Sequence, residues 1–343
     1  MQTTILKRHL GGSVWLLLAG CLGAAERSAY VTTGVQIETY GGWTNCLSLK
    51  CENRQVRSVI VPTVGGRIMH YSLNGENLLH ETAAALGQTL DKTPDGFWAG
   101  GYQCDVGPEI RGIPDHKTLW LGAYHWKAPD DYRVVLSSEP DKTLGVALEK
   151  EILMDPETGD LGITQRMKNT SDQETSFCIW DRTLCRGGGF AIFPLNKKSR
   201  FPARWSIRRK VGEQYSYDGA LPVSPQVQIL DGMLVAQSRG EPTRVGADSD
   251  AGWIAYVRGR VLFVKYFSYA REGNYTDGGN SVELYFDQQV AEFGPVSPEA
   301  RLKPTENYSF PEKWTLIALK KEVTSFKEAR ALASKVPASP FKR

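Results

Sequence analysis

Residues 282–319 read VELYFDQQVAEFGPVSPEARLKPTENYSFPEKWTLIAL, and this stretch decides the fold class. Its pattern predicts three β-strands, at 282–286, 290–293 and 314–319. Glu292 stands among the apolar residues of the second strand, where a carboxylate is costly unless it has a partner or a task. We therefore predict that Glu292 lies at the rim of a β-face and is functional. The alternative is an alternating strand with Glu292 pointing to water.

Length and composition indicate a folded, mainly β protein. The 343 residues are 41% hydrophobic and 23% charged, and 34 glycines and 18 prolines suit many turns between short strands. The formal charge is +3. No basic cluster with interleaved aromatic residues stands out. The run at 204–210 is basic, but a solvated face explains it. A nucleic-acid partner is therefore not expected.

The N-terminus has the features of an export signal. Lys7 and Arg8 form a positive region, and residues 10–18 form an apolar run that is too short to span a bilayer stably. The tetrapeptide LAGC that follows resembles the bacterial lipobox, in which Cys21 is lipidated. We therefore predict a lipoprotein signal peptide at 1–20.

This prediction implies an exported protein of the bacterial cell envelope, periplasmic or at the outer membrane. Residues 21–29 would be a tether to the membrane through the lipid at Cys21. The alternative is ordinary secretion, with cleavage near residues 24–25.

Five cysteines follow Cys21, and an odd number cannot all pair. An exported chain permits disulfides, but spacing does not decide their connectivity. These cysteines are Cys46, Cys51, Cys104, Cys178 and Cys185. Because there is no CxxC pair and no HExxH motif, we do not expect a structural zinc site. We assign no metal ligands and no cofactor, and whether a metal binds is left open.

Strand patterns recur along the whole chain. The predicted strands before the opening stretch fall at 43–51, 54–61, 67–73, 77–81, 118–126, 132–137, 143–154, 161–169, 174–185, 190–193, 226–230, 233–237, 252–257 and 261–267. The first four are expected to form a meander, and the strands at 143–154, 161–169 and 174–185 a second one.

The remaining segments complete the domain organisation. Residues 82–118 and 196–225 are predicted loops, and the spacing at 325–335 predicts a helix within a C-terminal tail at 323–343. No linker divides residues 30–322. We therefore predict a single large antiparallel β-sandwich with a C-terminal helix.

Several motifs together resemble a known superfamily. In chain order they are GGW at 41–43, GGRI at 65–68, NLLHE at 77–81, GPE at 107–109, WDRTLCRGGG at 180–189, ADSDAGWIAY at 247–256 and AEFGPVSPEARLKP at 291–304. The chain resembles the galactose-mutarotase-like superfamily, whose fold is the β-supersandwich. Within it, the chain is most similar to the bacterial domain of unknown function DUF4380. The resemblance implies a concave sheet face that binds a sugar.

The same resemblance suggests catalytic roles. In aldose 1-epimerases a Glu on a late strand, followed by a Pro-containing turn, is the general base, and Glu292 falls at that position. Their general-acid His is missing from the matching strand at 179–182. Asp181 could replace it if burial raised its pKa, although Arg182 would lower that pKa. His125 could supply the acid from another strand, or be a packed or surface histidine.

Other residues are candidates for contact with a sugar. Arg67 could bind hydroxyls or a uronate carboxylate, or form an ion pair with a nearby acid. Glu109 could contact a ligand or anchor its loop, and Arg182 could bind a ligand or pair with Asp181. The indoles of Trp98, Trp126 and Trp180 could stack on sugar rings, although core packing is the usual role of a single Trp.

Three functions remain open at this point. The first is an envelope-anchored carbohydrate-binding protein without turnover, and the second is an epimerase or lyase-type enzyme with Glu292 as base. Polysaccharide lyases that share the sandwich usually add a helical toroid domain, and the sequence predicts none. The third is a structural role at the membrane. The oligomeric state is left open.

Overall fold

The computed structural model describes residues 30–211, 214–219 and 225–341. Within these ranges the chain forms two antiparallel β-sheets packed face to face. The predicted β-sandwich with a C-terminal helix is confirmed. The signal peptide, Cys21 and the tether lie outside the described residues.

The strands are, in chain order, β1 (Tyr30–Thr32), β2 (Val35–Tyr40), β3 (Trp43–Cys51), β4 (Val56–Val61), β5 (Arg67–Leu73), β6 (Glu76–Asn77), β7 (Tyr102–Gly107), β8 (Tyr124–Lys127), β9 (Arg133–Ser138), β10 (Val146–Met154), β11 (Leu161–Asn169), β12 (Thr175–Arg186), β13 (Phe190–Pro194), β14 (Ser206–Val211), β15 (Gln214–Gly219), β16 (Val227–Leu230), β17 (Met233–Gln237), β18 (Thr243–Ala247), β19 (Trp253–Arg258), β20 (Val261–Phe267), β21 (Val282–Phe286), β22 (Val290–Pro295), β23 (Ala300–Leu302) and β24 (Asn307–Ala318). The α-helices are α1 (Lys117–Trp120) and α2 (Phe326–Ala331), and short 3₁₀ turns lie at Glu52–Arg54, Ala83–Ala85, Glu109–Arg111 and Leu332–Lys335.

The two sheets differ in size. The large sheet has the order β1-β2-β3-β4-β5-β7-β12-β22-β21-β18-β14-β15, with β6 beside β5 and β23 beside β12. The small sheet has the order β16-β17-β13-β19-β20-β24-β11-β10-β9-β8. The strands that carry the opening stretch are divided between them, since β21 and β22 belong to the large sheet and β24 to the small one.

The core lies between the sheets and is rich in aromatic residues. The rings of Tyr102 and Trp314 meet edge to face, with centroids 5.1 Å apart, and those of Phe263 and Phe293 do so at 5.3 Å. In each pair one ring comes from each sheet. Such contacts add to the hydrophobic burial that holds the sandwich together.

The outer faces of both sheets are partly covered. Helix α2 packs through Ala329 against an apolar cluster on the small sheet, and the Ser325 side chain caps the helix by accepting from the Glu328 N–H. On the large sheet, the segment between β6 and β8 packs over Trp43 and Met69.

Three local predictions of secondary structure are wrong. Helix α1 (Lys117–Trp120) covers the start of the predicted strand at 118–126, and the strand there is Tyr124–Lys127. The predicted loop at 82–118 contains β7, and the predicted loop at 196–225 contains β14 and β15. β7 (YQCDVG) alternates apolar and polar residues, but the run is short and is flanked by Gly101 and Pro108, so its pattern favours the surrounding loop.

The second predicted meander is also wrong in its pairing. β10 and β11 pair as a hairpin, but β12 crosses to the large sheet and pairs with β7 and β22. The local pattern of a strand does not specify its partner, so the crossing is invisible in the sequence.

The described part of the chain contains the five cysteines that follow Cys21. Cys46, Cys51, Cys104, Cys178 and Cys185 are all buried with reduced thiols, and no disulfide joins any of these five residues. Across the described ranges, no helix combines the length and apolar character needed to cross a bilayer.

Candidate functional site

The candidate site lies on the outer face of the large sheet, the face turned away from the small sheet. Side chains alternate along β12, so Trp180 and Arg182 lie on this face, whereas Asp181 points into the core. β22 runs beside β12 and presents Glu292 on the same outer face. Gly294 permits this close pairing, since a Cβ there would lie 1.8 Å from the Asp181 carbonyl oxygen.

A bidentate ion pair forms the centre of the site. Nε and Nη2 of Arg182 each donate to one carboxylate oxygen of Glu292, both at 3.1 Å. The guanidinium also lies 4.5 Å from the centre of the Trp180 ring, and its Nη1 is 3.6 Å from Asp105 Oδ2. Two parallel charge-assisted bonds fix the orientation of both side chains.

The pKa of Glu292 lies below its ordinary value. Burial of this carboxyl raises its pKa, but the positive charges of Arg182 and Arg244 outweigh burial and lower it. Glu292 is therefore ionised at neutral pH. It is a weaker base than an unpaired carboxylate, and arginine occupies both of its oxygens.

Arg244 on β18 extends the site across the sheet. Its Nη1 lies 3.8 Å from Glu292 Oε1, 3.7 Å from Glu283 Oε2 and 3.6 Å from Glu109 Oε2. Its guanidinium carbon is 5.5 Å from the centre of the Trp180 ring. Arg182 and Arg244 thus share both a carboxylate and an indole.

Glu109, on a surface turn, also contributes a carboxylate to the site. Glu109 begins the 3₁₀ turn Glu109–Arg111, and its carboxylate accepts a hydrogen bond from Arg208 Nη1. The Asp277 carboxylate accepts from the backbone N–H groups of Glu109 and Ile110, both at 3.3 Å. Arg111 pairs with Glu299 at 2.7 Å. The backbone of the turn is therefore anchored, while the Glu109 side chain extends onto the arginines.

A histidine that the sequence analysis did not select lies at the other side of the site. His116 Nε2 is 2.7 Å from Asp105 Oδ1, and its Nδ1 is 2.7 Å from the Pro114 carbonyl oxygen. Burial lowers the pKa of His116, but Asp105 outweighs burial and raises it to about 8. The pKa of Asp105 is raised by burial and lowered more strongly by His116 and Arg182. His116 is therefore charged at neutral pH.

We name the group of Arg182, Arg244, Arg208, Glu292, Glu283, Glu109, Asp105, His116 and Trp180 the outer-face cluster. Of the residues predicted from sequence, the structure brings together Glu292, Glu109, Trp180 and Arg182 in this cluster. The members come from β7, β12, β14, β18, β21, β22 and the segment that follows β7.

Arg67 does not reach a ligand-accessible surface. Its side chain is fully buried, and its guanidinium donates to the Gly100 carbonyl at 2.8 Å, Gln103 Oε1 at 2.6 Å and the Trp120 carbonyl at 3.1 Å. Burial lowers the pKa of Arg67 to about 9. Arg67 therefore stabilises the packing of its neighbouring segments rather than contacting a sugar. Its bonds go to two carbonyl groups and an amide oxygen, not to the nearby acid that the sequence analysis offered as the alternative.

Asp181 faces the interior and pairs with Lys265 of the small sheet rather than with Arg182. It also accepts from Thr183 Oγ1 at 2.8 Å. Burial and the nearby Glu312 raise its pKa well above the usual range, as the acid role requires. It nevertheless lies on the wrong side of the sheet to act with Glu292.

The other predicted residues lie elsewhere. His125 and Trp126 are on β8 of the small sheet, where His125 is exposed beside Glu139 at 2.7 Å and Trp126 packs against the core. Trp98 is exposed in the segment before β7, with its ring centre 5.8 Å from that of His80. Neither His125 nor Trp126 can therefore take part in chemistry at Glu292.

The sequence analysis missed Arg244, Arg208, Asp105 and His116. Arg244 and Asp105 lie on strands that were not recognised, so their alternation with buried neighbours was not used. Across the described side chains, no group of three or more His, Cys, Asp or Glu residues is placed to hold a metal ion.

Comparison with known proteins identifies the fold. No protein-family model and no curated protein matches the sequence. A candidate aldose 1-epimerase from Escherichia coli K12 is similar in structure, with a TM-score of 0.56 and 10% identity over 78% of this chain and 97% of its own.

Two further solved structures agree. A galactose mutarotase-like protein from Clostridium acetobutylicum has a TM-score of 0.56 and 11% identity, over 84% of this chain and 99% of its own. A galactose mutarotase-like protein from Lactobacillus casei ATCC 334 has a TM-score of 0.54 and 9% identity, over 79% of this chain and 100% of its own. The chain therefore has the galactose mutarotase-like β-sandwich fold.

Proposed function

We propose that the outer-face cluster binds a carbohydrate and does not transform it. The observation that carries this proposal is the stacking of Arg182 and Arg244 over one indole, with Glu292 holding both guanidinium groups in place. Planar guanidinium groups offer several N–H donors in a fixed geometry, which suits the hydroxyls of a sugar ring. Because their orientation is set before binding, little ordering is required when a ligand arrives.

The same contacts argue against turnover. General acid–base catalysis needs two groups that can reach the substrate, with pKa values near the working pH. Both oxygens of Glu292 accept from Arg182, and its pKa is lowered. Both ring nitrogens of His116 are bonded, and Asp181 lies on the opposite face. These residues are arranged to hold charges in place rather than to exchange protons.

The fold supports the carbohydrate-binding part of this proposal by analogy, since the similar solved structures are described as mutarotase-like or epimerase proteins. The motifs that resemble DUF4380 support membership of that family as a further proposal.

The binding test compares two arginines that each contact two carboxylates. Arg182 lies in the cluster, whereas Arg166 pairs with Glu149 at 2.6 Å and Glu151 at 3.0 Å on the small sheet. We would titrate the purified chain with neutral and acidic mono- and oligosaccharides in a calorimeter.

We expect at least one saccharide class to bind saturably. Arg182→Met should then weaken its binding at least tenfold, whereas Arg166→Met should leave it unchanged. Thermal unfolding of both variants shows that they are folded. Failure of the whole panel to bind, or equal loss in the two variants, would overturn the proposal.

We also propose that a lipid on Cys21 anchors this domain in the cell envelope, at the periplasmic or outer-membrane side. Lys7, Arg8, the short apolar run and the LAGC tetrapeptide support this proposal. Cys21→Ser should move the chain from the membrane fraction to the soluble fraction and abolish incorporation of labelled fatty acid. Retention in the membrane fraction without label would contradict lipid anchoring.

A further inference from the structure

The Glu109 side chain occupies a carboxylate-binding position. Its carboxylate accepts from Arg208 Nη1, and its Oε2 lies 3.6 Å from Arg244 Nη1. The side chains of Arg208 and Arg244 are only 11% and 13% exposed, whereas that of Glu109 is 36% exposed. The two arginines therefore already hold one carboxylate, and it comes from the solvent side.

Glu109 differs from the other carboxylates around Arg244 in how it is held. Glu283 and Glu292 project from interior strands of the large sheet and are 3% and 6% exposed, so they cannot leave without disrupting the sheet. Glu109 comes from a surface turn whose backbone is fixed separately by Asp277. Rotation about its side-chain bonds is therefore enough to release its carboxylate into water.

Charge balance determines what can replace it. Withdrawing Glu109 leaves two largely buried guanidinium groups with one carboxylate fewer, which is costly unless another anion takes its place. A neutral sugar cannot compensate this loss, whereas a carboxylate can form the same bonds. The exchange also keeps the charge of the cluster constant.

We propose that the ligand of the outer-face cluster is an acidic saccharide, whose uronate carboxylate replaces that of Glu109 on Arg208 and Arg244. This inference rests on the proposed function and names its ligand class. The sugar ring then lies towards Arg182. Glu109 is the residue that the ligand displaces, because its carboxylate competes with the uronate carboxylate for the same two arginines.

Glu109→Gln separates this inference from simple binding. The change keeps the shape of the side chain and removes the competing charge. We would measure by calorimetry the dissociation constants of galacturonate and glucuronate oligosaccharides and of their neutral counterparts. In the unmodified chain the uronates should bind at least tenfold more tightly, and Glu109→Gln should strengthen their binding about tenfold without strengthening that of the neutral sugars.

Two further variants complete the design. Glu299→Gln removes a negative charge at the other end of the same turn, where Glu299 pairs with Arg111, and should leave uronate affinity within twofold. Arg244→Gln should abolish the preference for uronates. A thermal melt verifies that each variant is folded.

The outcomes distinguish this inference from the proposed function. Equal affinity for neutral and acidic sugars, with no effect of Glu109→Gln, overturns the inference and leaves carbohydrate binding intact. Tighter binding of glucose 6-phosphate than of any uronate overturns the assignment of a carboxylate. Failure of every saccharide to bind overturns the proposed function itself.

Discussion

Two charged clusters lie on opposite sides of β12, and consecutive residues contribute to them. Asp181 points inward, where Lys265 Nζ contacts its carboxylate and lies 3.5 Å from Glu312 Oε2. Arg182 points outward to Glu292 and Asp105. The side chains of Lys265, Asp181 and Glu312 are completely buried, whereas that of Arg182 remains 22% exposed.

The difference shows what access to water does to the same types of residue. The inner cluster is closed between two sheets, so its charges are satisfied only by one another and by buried neighbours such as Thr183 and Gln165. The outer-face cluster has comparable ion pairs, but its arginines remain partly exposed to solvent. We therefore assign the inner cluster to stability and the outer one to binding, and the following predictions test that division.

Lys265→Met should have the largest effect on stability. It leaves the carboxyl groups of Asp181 and Glu312 buried without their cation, which costs about 3–5 kcal/mol of unfolding free energy. Urea denaturation measures this loss. Lys168→Met, at an exposed position of β11 in the same sheet, is the control and should stay within about 0.5 kcal/mol. Equal effects of the two changes would refute the structural role.

Arg182→Met should destabilise the chain less than Lys265→Met does. The buried Glu292 carboxylate keeps Arg244 nearby at 3.8 Å and is therefore not left without a cation, so we expect a loss of about 1–3 kcal/mol. The same denaturation experiment measures it. A loss as large as that of Lys265→Met would remove the distinction between the two clusters.

Stability should also depend on pH through His116. Asp105 raises the pKa of His116 from 6.5 to about 8, so the stabilisation is complete below pH 6.5 and is lost as pH rises through about 8. Between pH 6 and pH 9 we expect a loss of about 1–2 kcal/mol. Asp141 also favours the charged form of His116, and Arg182 lowers the pKa of Asp105. His116→Gln should abolish this part of the pH dependence. An unchanged dependence of stability on pH in this variant would contradict the role given to His116.

Thr183→Val should have the smallest effect of the four changes. Thr183 Oγ1 donates to Asp181 at 2.8 Å and accepts from Lys265 at 2.9 Å, so removing the hydroxyl weakens the inner cluster without removing a charge. We expect a loss of about 1 kcal/mol by thermal or urea unfolding, and unchanged saccharide affinity. Altered saccharide affinity would show that the two clusters are coupled through β12.

The sequence predicts the fold class because many strands face water on one side only. β10 and β11 alternate between buried and outward-facing residues over nine positions each, and this period is visible in a single sequence. β7 alternates over a short run beside glycine and proline, and the hairpin of β14 and β15 is mostly polar, so neither is recognisable as strand. The sheet to which β12 belongs depends on long-range pairing that its own residues do not encode.

The candidate site is only partly predictable for the same reason. Glu292 stands out because its neighbours on β22 are apolar, and Arg182 because it follows Asp181 in a strand. The packing of the opposite sheet decides which of Asp181 and Arg182 faces outward, because Lys265 of that sheet pairs with Asp181. Arg244 lies on the short strand β18, which could not be recognised locally.

The most direct test of the central claim is exchange spectroscopy by NMR on an anomeric mixture of a bound saccharide. We predict that the chain broadens or shifts the signals of the sugar in proportion to occupancy, while the exchange rate between the anomers stays at its value in buffer. Faster exchange that disappears in Glu292→Gln would contradict the claim, because Glu292 would then act as a base rather than as the anchor of two arginines.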